Sequence, residues 1–267
     1  MPRNTVAGQN ATGYRGREEE TMIELVQLSK SYSKGQIRAV KDLTVKVAAG
    51  ELFGFLGPNG AGKTTTIKMM VGLLRPDAGR VLLDGIDMRT DPLKAKSIIG
   101  YCPDEPVLYE RITGIRFLSF IAEAFGVSRA RRAGIEELAE TFEMRETLGE
   151  VIASYSHGMR QKLSLIAALL HDPDILVLDE PIVGLDPRAA FALKEKMKEL
   201  CAKGKTVFFS THIMEVAERL CDRVGIIDRG ELLAAAPLEE LRRQAGEENA
   251  TLEKLFLEMT DANSHPR

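Results

Sequence analysis

The sequence contains little cysteine and no long apolar stretch. These absences argue against a cysteine-bound metal site and against a membrane-spanning helix. Its three cysteines, Cys102, Cys201 and Cys221, are odd in number and lack the spacing of metal ligands. We interpret them as ordinary thiols in a reducing compartment. No uninterrupted apolar run approaches the roughly 18 residues that a membrane-spanning helix needs. Residues 1–20 have no apolar core, so no signal peptide is expected there.

An excess of basic residues is also missing. Lysine and arginine number 36 and aspartate and glutamate 39, which leaves a net charge of −3. A nucleic-acid-binding protein would carry a basic footprint, so no nucleic-acid partner is expected. With 267 residues, the chain is long enough for one large α/β domain or two small ones with an ample core.

The most informative feature that is present is a glycine-rich run typical of a phosphate-binding loop. It follows the pattern of Gly, four residues, Gly, Lys and then Ser or Thr. It lies between an apolar segment, 51–56, and a segment with helical spacing, 65–74, so N–H groups at a helix start can face a polyphosphate. Lys63 adds charge near the outer phosphates, and Thr64 offers its hydroxyl to Mg²⁺. The predicted nucleotide-binding residues are Gly57, Pro58, Asn59, Gly60, Ala61, Gly62, Lys63, Thr64 and Thr65.

A second nucleotide-binding pattern is the apolar run Ile175–Leu178 followed by two acids, Asp179 and Glu180. Ligands of open α/β sheets bind at the carboxyl ends of the strands. Asp179 is suited to hold Mg²⁺ opposite Thr64, and Glu180 to orient and polarise the attacking water. The simpler interpretation is a strand that ends in an acidic turn. Downstream of a phosphate loop we favour the functional one.

Further along the chain, short motifs occur in an order that resembles the ATPase subunits of ABC transporters. The segment Tyr155–Gln161 is similar to that family's signature loop, whose usual form is Leu-Ser-Gly-Gly-Gln. Ser156 and Gly158 match this form, whereas His157 and Met159 depart from it.

Other positions carry the same resemblance. Gly184–Asp186 matches the family's D-loop, His212 its switch histidine, and Tyr32 the aromatic residue that stacks on adenine. Asp104 stands where the family has its lid glutamine. With these motifs in register, the resemblance spans residues 23 to about 241.

The resemblance implies a role for each of these residues, beside a simpler structural one. His212 would sense the γ-phosphate, or it is a satisfied polar residue of a loop. Tyr32 would stack on adenine, or it packs on a sheet. Asp104 would ligate Mg²⁺ through water, or it caps the turn after Pro103. These alternatives stay open at the level of sequence.

The signature loop predicts a second anion site. Ser156 is a good N-cap, and with Gly158 it leaves free N–H groups at a helix start. In the resembled family two ATPase domains pair head to tail, so that each ATP lies between one phosphate loop and the other domain's signature loop. The resemblance implies this arrangement here. The alternative is that Ser156 only caps its helix.

Strands alternating with helices predict an α/β fold with a largely parallel sheet. Together with the resemblance, this gives a P-loop NTPase core, an N-terminal antiparallel β subdomain and an inserted α-helical subdomain at about 105–172. We assign residues 22–245 to the ATPase domain, 1–21 to a disordered tail and 246–267 to a C-terminal helix and tail.

The function expected from the resemblance is an ATP-hydrolysing subunit, with ATP and Mg²⁺, that powers a bacterial exporter of the drug, lipid or antibiotic-resistance type. Its partners would be a polytopic permease subunit on a separate chain and a second ATPase subunit, identical or a sister chain. It would lie peripherally at the cytoplasmic face of the cell membrane, docked near residues 104–120. The alternatives are a soluble ABC ATPase with a role in DNA repair or translation, and a phosphoryl transferase, which would not explain the signature loop.

Overall fold

The computed structural model describes residues 20–128, 133–247 and 249–264. The predicted disordered tail therefore lies outside the described residues, except for its last two positions, of which Thr21 already begins a strand. Within the described ranges the chain forms two sheets and three clusters of buried apolar side chains.

The N-terminal sheet is antiparallel throughout, as the sequence predicts for this part of the chain. Its strand order is β2-β1-β4-β5. In the second half of β2 alternate residues, Leu43, Val45 and Val47, are buried, which is the period of a half-covered strand. The strands are β1 (Thr21–Tyr32), β2 (Ile37–Ala48), β4 (Ala78–Leu83) and β5 (Ile86–Asp87).

The central sheet has six strands in the order β10-β9-β3-β8-β7-β6. Every neighbouring pair is parallel except β10 with β9, so the predicted, mainly parallel sheet is present. The middle strands β3, β7 and β8 are buried at every residue because both faces are covered: helices α5 and α6 pack on one face, and α1 with the N-terminal sheet packs on the other. The strands are β3 (Leu52–Leu56), β6 (Ile99–Cys102), β7 (Ile175–Leu178), β8 (Thr206–Thr211), β9 (Arg223–Asp228) and β10 (Glu231–Ala236).

The helices connect and cover these strands. Several begin at side-chain caps: Asp91, Thr113, Ser156 and Asp186 each accept a hydrogen bond from a backbone N–H of the first turn. The helices are α1 (Lys63–Met70), α2 (Pro92–Ser97), α3 (Gly114–Ala124), α4 (Ala133–Thr141), α5 (His157–Leu169), α6 (Pro187–Ala202), α7 (Met214–Leu220), α8 (Leu238–Ala245) and α9 (Leu252–Ser264).

The inserted subdomain predicted at about 105–172, the helical block, contains α3, α4 and α5, which are separated by non-helical segments. Helix α3 ends where Gly126 adopts a φ of +65°, a conformation typical of helix C-termini. After α4 the chain runs through turns to the bridge between Thr113 and Val151 and a short 3₁₀ helix, Ile152–Ser154. The buried side chains of the block, around Leu118, Phe142 and Leu163, form one continuous cluster with side chains of the central sheet such as Leu178 and Phe209.

The buried centre of the sheet should be sensitive to truncation. Phe208 on β8 is fully buried, and its ring centroid lies 5.4 Å from those of both Phe53 and Phe55. Replacing Phe208 by Ala leaves a cavity and should lower the free energy of unfolding by about 3–5 kcal/mol. Urea unfolding measures this. The control Leu257→Ala, at a position 53% exposed, should change it by less than about 0.5 kcal/mol. A loss below about 1 kcal/mol for Phe208→Ala would contradict the packing described.

Candidate nucleotide-binding site

The phosphate-binding loop joins the carboxyl end of β3 to α1, as the sequence predicts, and its glycines are sterically required. A Cβ added to Gly57 would lie 2.3 Å from the carbonyl oxygen of Ile227, and one added to Gly62 would lie 2.4 Å from that of Ala39. Gly62 also has a φ of +113° and stands directly before α1, where side chains are disfavoured. The loop can therefore turn its N–H groups inward only with glycine at these positions.

Lys63 links the loop to the acids at the end of β7. Its side chain is 6% exposed, its Nζ donates a hydrogen bond to the carbonyl oxygen of Gly57 at 2.7 Å, and it lies 3.2 Å from Oε1 of Glu180. A phosphate group in the loop would compete with the Gly57 carbonyl and the Glu180 carboxylate for the same ammonium group.

Asp179 and Glu180 are adjacent in sequence but face different neighbours. Asp179 is 1% exposed and accepts a hydrogen bond at Oδ1 from the Ser210 hydroxyl at 2.6 Å. Glu180 has a φ of +48°, which is rare for a residue other than glycine and typical of strained functional positions. Its Oε2 lies 3.0 Å from Nδ1 of His212 and accepts a hydrogen bond from the His212 backbone N–H at 3.3 Å.

Ser210 is a site residue that the sequence analysis missed. Its hydroxyl donates to Asp179 and accepts a hydrogen bond from the Glu180 backbone N–H at 3.0 Å, so one side chain orients both acids. The available signal was weak: a serine two residues before His212, on a strand that we expect beside β7.

A cleft of about 170 Å³ brings most of the predicted residues together. The pKa of Asp104 on its rim is raised above the ordinary value, first by burial and then by the negative charges of Asp179, Glu180 and Glu105. A cation bound among these carboxylates would relieve that repulsion. The cleft is lined by Ala39, Pro58, Asn59, Gly60, Gly62, Lys63, Thr64, Thr65, Asp104 and Glu180.

The donor atoms fit a magnesium ion bound together with phosphates. Oδ2 of Asp179 is buried and has no hydrogen-bond partner in the described part of the chain, which leaves a lone carboxylate oxygen for a metal. Nowhere in the described ranges do three or more His, Cys, Asp or Glu side chains converge as a protein-only metal centre. Mg²⁺ is commonly held by one or two carboxylates plus substrate phosphates. Asp179, Thr64 and Asp104 would hold it here.

Tyr32 lies outside this cleft. It ends β1, pairs with Ile37 across the hairpin and is 40% exposed. A second cleft of about 520 Å³ is lined by hairpin residues 35–39 and also by Gly60, so it adjoins the first. A nucleotide base could extend towards the hairpin, and stacking on Tyr32 stays a prediction.

Comparison with known proteins identifies the family. A model described as "ABC transporter" matches residues 40–183. The ABC-type transporter ATP-binding protein EcsA of Bacillus subtilis is 36% identical over 241 residues, which are 90% of this chain and 97% of that protein. The linearmycin resistance ATP-binding protein LnrL of the same organism is 37% identical over 84% of this chain and 72% of that protein. The chain belongs to the ABC transporter family.

Solved structures support the same assignment. An ATP-binding subunit of an ABC transporter superposes with a TM-score of 0.86 at 37% identity and covers 90% of this chain and 100% of its own. A dimer of the ATP-binding cassette MJ0796, in a post-hydrolysis state with ADP and phosphate, superposes with a TM-score of 0.72 at 25% identity. It covers 81% of this chain and 99% of that one. The predicted P-loop NTPase fold and the resemblance to ATP-binding subunits are both confirmed.

Every helix within residues 20–128, 133–247 and 249–264 is too short or too polar to cross a bilayer.

The signature loop of this ABC protein begins α5. The Ser156 hydroxyl accepts a hydrogen bond from the N–H of Met159 at 3.2 Å, so the predicted cap is present. Met159 itself packs against the core of the helical block, which accounts for an apolar residue where the family has glutamine. Neither Ser156 nor Gly158 lines the cleft of its own chain. Their approach to a nucleotide held by a second subunit stays a prediction.

The two adjacent acids should fail in different ways when altered. Glu180→Gln removes the charge that polarises water, so it should retain ATP binding, lose turnover by at least about a hundredfold and accumulate an ATP-bound dimer. Asp179→Asn removes the charge beside the proposed Mg²⁺ and should weaken Mg·ATP binding itself. Titration with a fluorescent ATP analogue and steady-state phosphate release separate these effects. Equal turnover of Glu180→Gln and wild type would remove Glu180 from this role.

Proposed function

We propose that this chain is the Mg-dependent ATP-hydrolysing subunit of an ABC exporter, and that two such subunits close around two ATP molecules. The convergence of Lys63, Asp179 and Glu180 on the glycine-rich loop carries the proposal. Lys63 and Glu180 supply phosphate binding and a base within one cleft, and Asp179, the residue next to Glu180, supplies a buried carboxylate oxygen for a metal. These three functions are the minimum that ATP hydrolysis needs.

Glu180 is the general base in this mechanism. Once the phosphates take the Lys63 ammonium group, Oε1 of Glu180 becomes free to accept a hydrogen bond from the attacking water. Oε2 stays fixed by His212, so the carboxylate keeps its orientation while it takes up the proton. His212 contacts Glu180, which lines the cleft, and this position beside the base suits a sensor of the terminal phosphate.

Asp179 and Thr64 would hold the metal, and Asp104 would contribute through water from the rim. Mg²⁺ would supply positive charge that neutralises the phosphates during hydrolysis. Ser210 keeps Oδ1 of Asp179 occupied at 2.6 Å, which leaves Oδ2, without a hydrogen-bond partner in the described residues, available as a metal ligand.

The second half of each ATP site comes from the partner subunit. Ser156 and Gly158 have N–H groups at the start of α5 and lie outside the cleft of their own chain. A helix N-terminus binds phosphate well. The dimeric arrangement of the related cassette described above supports this pairing. Whether the second subunit is identical or a sister chain leaves the chemistry unchanged.

Docking to a membrane subunit takes place in an apolar groove between the core and the helical block. The groove has a volume of about 310 Å³, and its wall includes Tyr101 and Pro103, which immediately precede Asp104. The groove is also lined by Val107, which is 95% exposed, and beside it lie Tyr109 at 63% and Phe120 at 51%. Such a patch is typical of a protein interface.

Asp104 lines the nucleotide cleft and directly follows Pro103, which lines the groove. Because the two residues are adjacent in the chain, closure around ATP can move a docked permease. The name of the linearmycin resistance relative supports an export role over the alternative, a soluble ABC ATPase with no transport partner. The proposed location is peripheral, at the cytoplasmic face of the cell membrane.

The paired-subunit mechanism predicts complementation between two inactive variants. Ser156→Arg should block hydrolysis, because the arginine obstructs the ATP site of the partner subunit. The affinity of the isolated variant subunit for ATP should stay within about twofold of wild type. Lys63→Ala should lose its own phosphate contact. Mixed dimers keep one intact composite site and should recover about half of the wild-type activity per dimer. No recovery, with mixed dimers confirmed by differential tagging, would mean that each site is complete within one chain.

The docking groove predicts where the native protein is found. With its genomic neighbour co-expressed, most of the protein should sediment with membranes and be released by detergent or strong chaotrope. The double variant Tyr109→Asp/Phe120→Asp should shift it to the supernatant while ATP binding is retained. The matched control Leu257→Asp alters an apolar side chain of α9 that is similarly exposed and should stay with the membranes. A wild-type protein that remains wholly in the supernatant would favour the soluble ATPase.

A further inference from the structure

The signature loop and the D-loop of the same chain contact each other beside the nucleotide cleft. One residue of this contact, His157, differs from the residue that the family usually has at its position. A Cβ added to Gly184 would lie 2.8 Å from Cδ2 and 3.0 Å from Nε2 of His157. The edge of the histidine ring therefore rests directly on the Gly184 backbone, which has a φ of +81°. Gly158 packs against the same residue, since a Cβ there would lie 2.9 Å from the Gly184 carbonyl oxygen.

An ion pair reinforces this contact from the side. Nζ of Lys162, on α5, lies 2.6 Å from Oδ2 of Asp186, and the Lys162 side chain is only 10% exposed. The other oxygen of Asp186 caps α6 by accepting hydrogen bonds from the N–H groups of Arg188 and Ala189. The start of the signature helix and the D-loop are thus joined at two points within one subunit.

The D-loop is in turn connected to the catalytic acid by a short, turned segment. The N–H of Val183 donates to the carbonyl oxygen of Glu180 at 3.2 Å, and that of Leu185 donates to Ile182 at 3.3 Å. Two successive turns separate Gly184 from Glu180, so a displacement of Gly184 is transmitted to a residue whose backbone is already strained, with a φ of +48°.

We propose that His157 is a positioning residue for hydrolysis, because its ring holds the D-loop in place and thereby orients Glu180 of the same chain. This rests on the proposed function. The family's usual residue at this position, glycine, has no side chain and cannot make the contact. Ser156 is the adjacent residue, so the signature loop that reaches the partner's ATP is mechanically tied to the chain's own base.

The cis action distinguishes this role from that of an ordinary signature residue, which would act on the partner's site. Mixed dimers separate the two. If one subunit carries Glu180→Gln, only the site with the other subunit's Glu180 turns over. Placing His157→Gly in the subunit with the working Glu180 should lower kcat about fivefold with an unchanged KM for ATP. The Glu180→Gln subunit supplies the signature loop to the working site. Placing His157→Gly in that subunit instead should leave kcat within about twofold of the mixed dimer without the His157 change.

Further variants test whether a loss of kcat comes from losing the ring contact with Gly184 or from a general disturbance of the fold. His157→Phe keeps a flat ring on Gly184 and should retain most of the kcat, whereas His157→Ala should behave like His157→Gly without the added backbone freedom. Lys198→Ala, on the exposed side of α6, is the matched control and should behave like wild type. A loss of kcat confined to the dimer in which the variant supplies the signature loop would overturn the proposal, as would an effect that is equal in both dimers.

A measurement on single subunits does not depend on dimer formation. Hydrogen exchange of the amides in residues 182–186 should be several-fold faster in His157→Gly and His157→Ala than in wild type, and unchanged in His157→Phe and Lys198→Ala. Equal exchange rates in wild type and in these four variants would refute the proposal that His157 holds the D-loop in place. If mixed dimers fail to form with ATP, the paired-subunit mechanism is wrong, and the exchange rates alone decide the role of His157.

Discussion

The burial of two adjacent carboxylates at the end of β7 is the constraint on which the rest of the site depends. Asp179 and Glu180 are 1% and 8% exposed, and uncompensated buried charges of the same sign would cost several kcal/mol each. Compensation comes from outside the strand that carries them: Ser210 and His212 from β8 and the residues just after it, and Lys63 from the phosphate loop. The acids are therefore stable only when three segments far apart in sequence are assembled.

The order of the central sheet meets this constraint. β8 lies between β7 and β3, and all three run parallel, so their carboxyl ends lie at one edge. That edge brings the phosphate loop after β3 opposite the acids after β7, with the serine hydroxyl of β8 between them. Full burial of these strands makes slippage of their register expensive. The same packing that stabilises the sheet, around Phe208, thus also fixes the distances in the cleft.

The parts of this arrangement that are local in sequence could be predicted, and the parts that depend on register could not. The phosphate loop, with Gly57 and Gly62, is a contiguous motif whose context of strand and helix is visible in the chain itself. The bridging role of Ser210 is not visible, because it requires the register between β7 and β8. The contact of His157 with Gly184 likewise depends on how α5 packs against a loop that follows another strand. Strand β10 was missed because its run Leu232–Ala236 has no alternation and is rich in alanine, which is depleted in strands.

Two departures from the family pattern, Asp104 and His157, have related consequences for charge and geometry. Asp104 adds a third carboxylate to an edge that already holds two, and its pKa is raised first by burial and then by repulsion from the neighbouring carboxylates. His157 affects the pKa of the same carboxyl in the opposite direction, so the imidazole lies close to the rim. A glutamine at position 104 would feel neither effect, because it carries no charge. In this chain the signature loop therefore adjoins two parts of the site: His157 lies within electrostatic reach of the rim carboxylate, and its ring contacts the backbone of Gly184 in the D-loop.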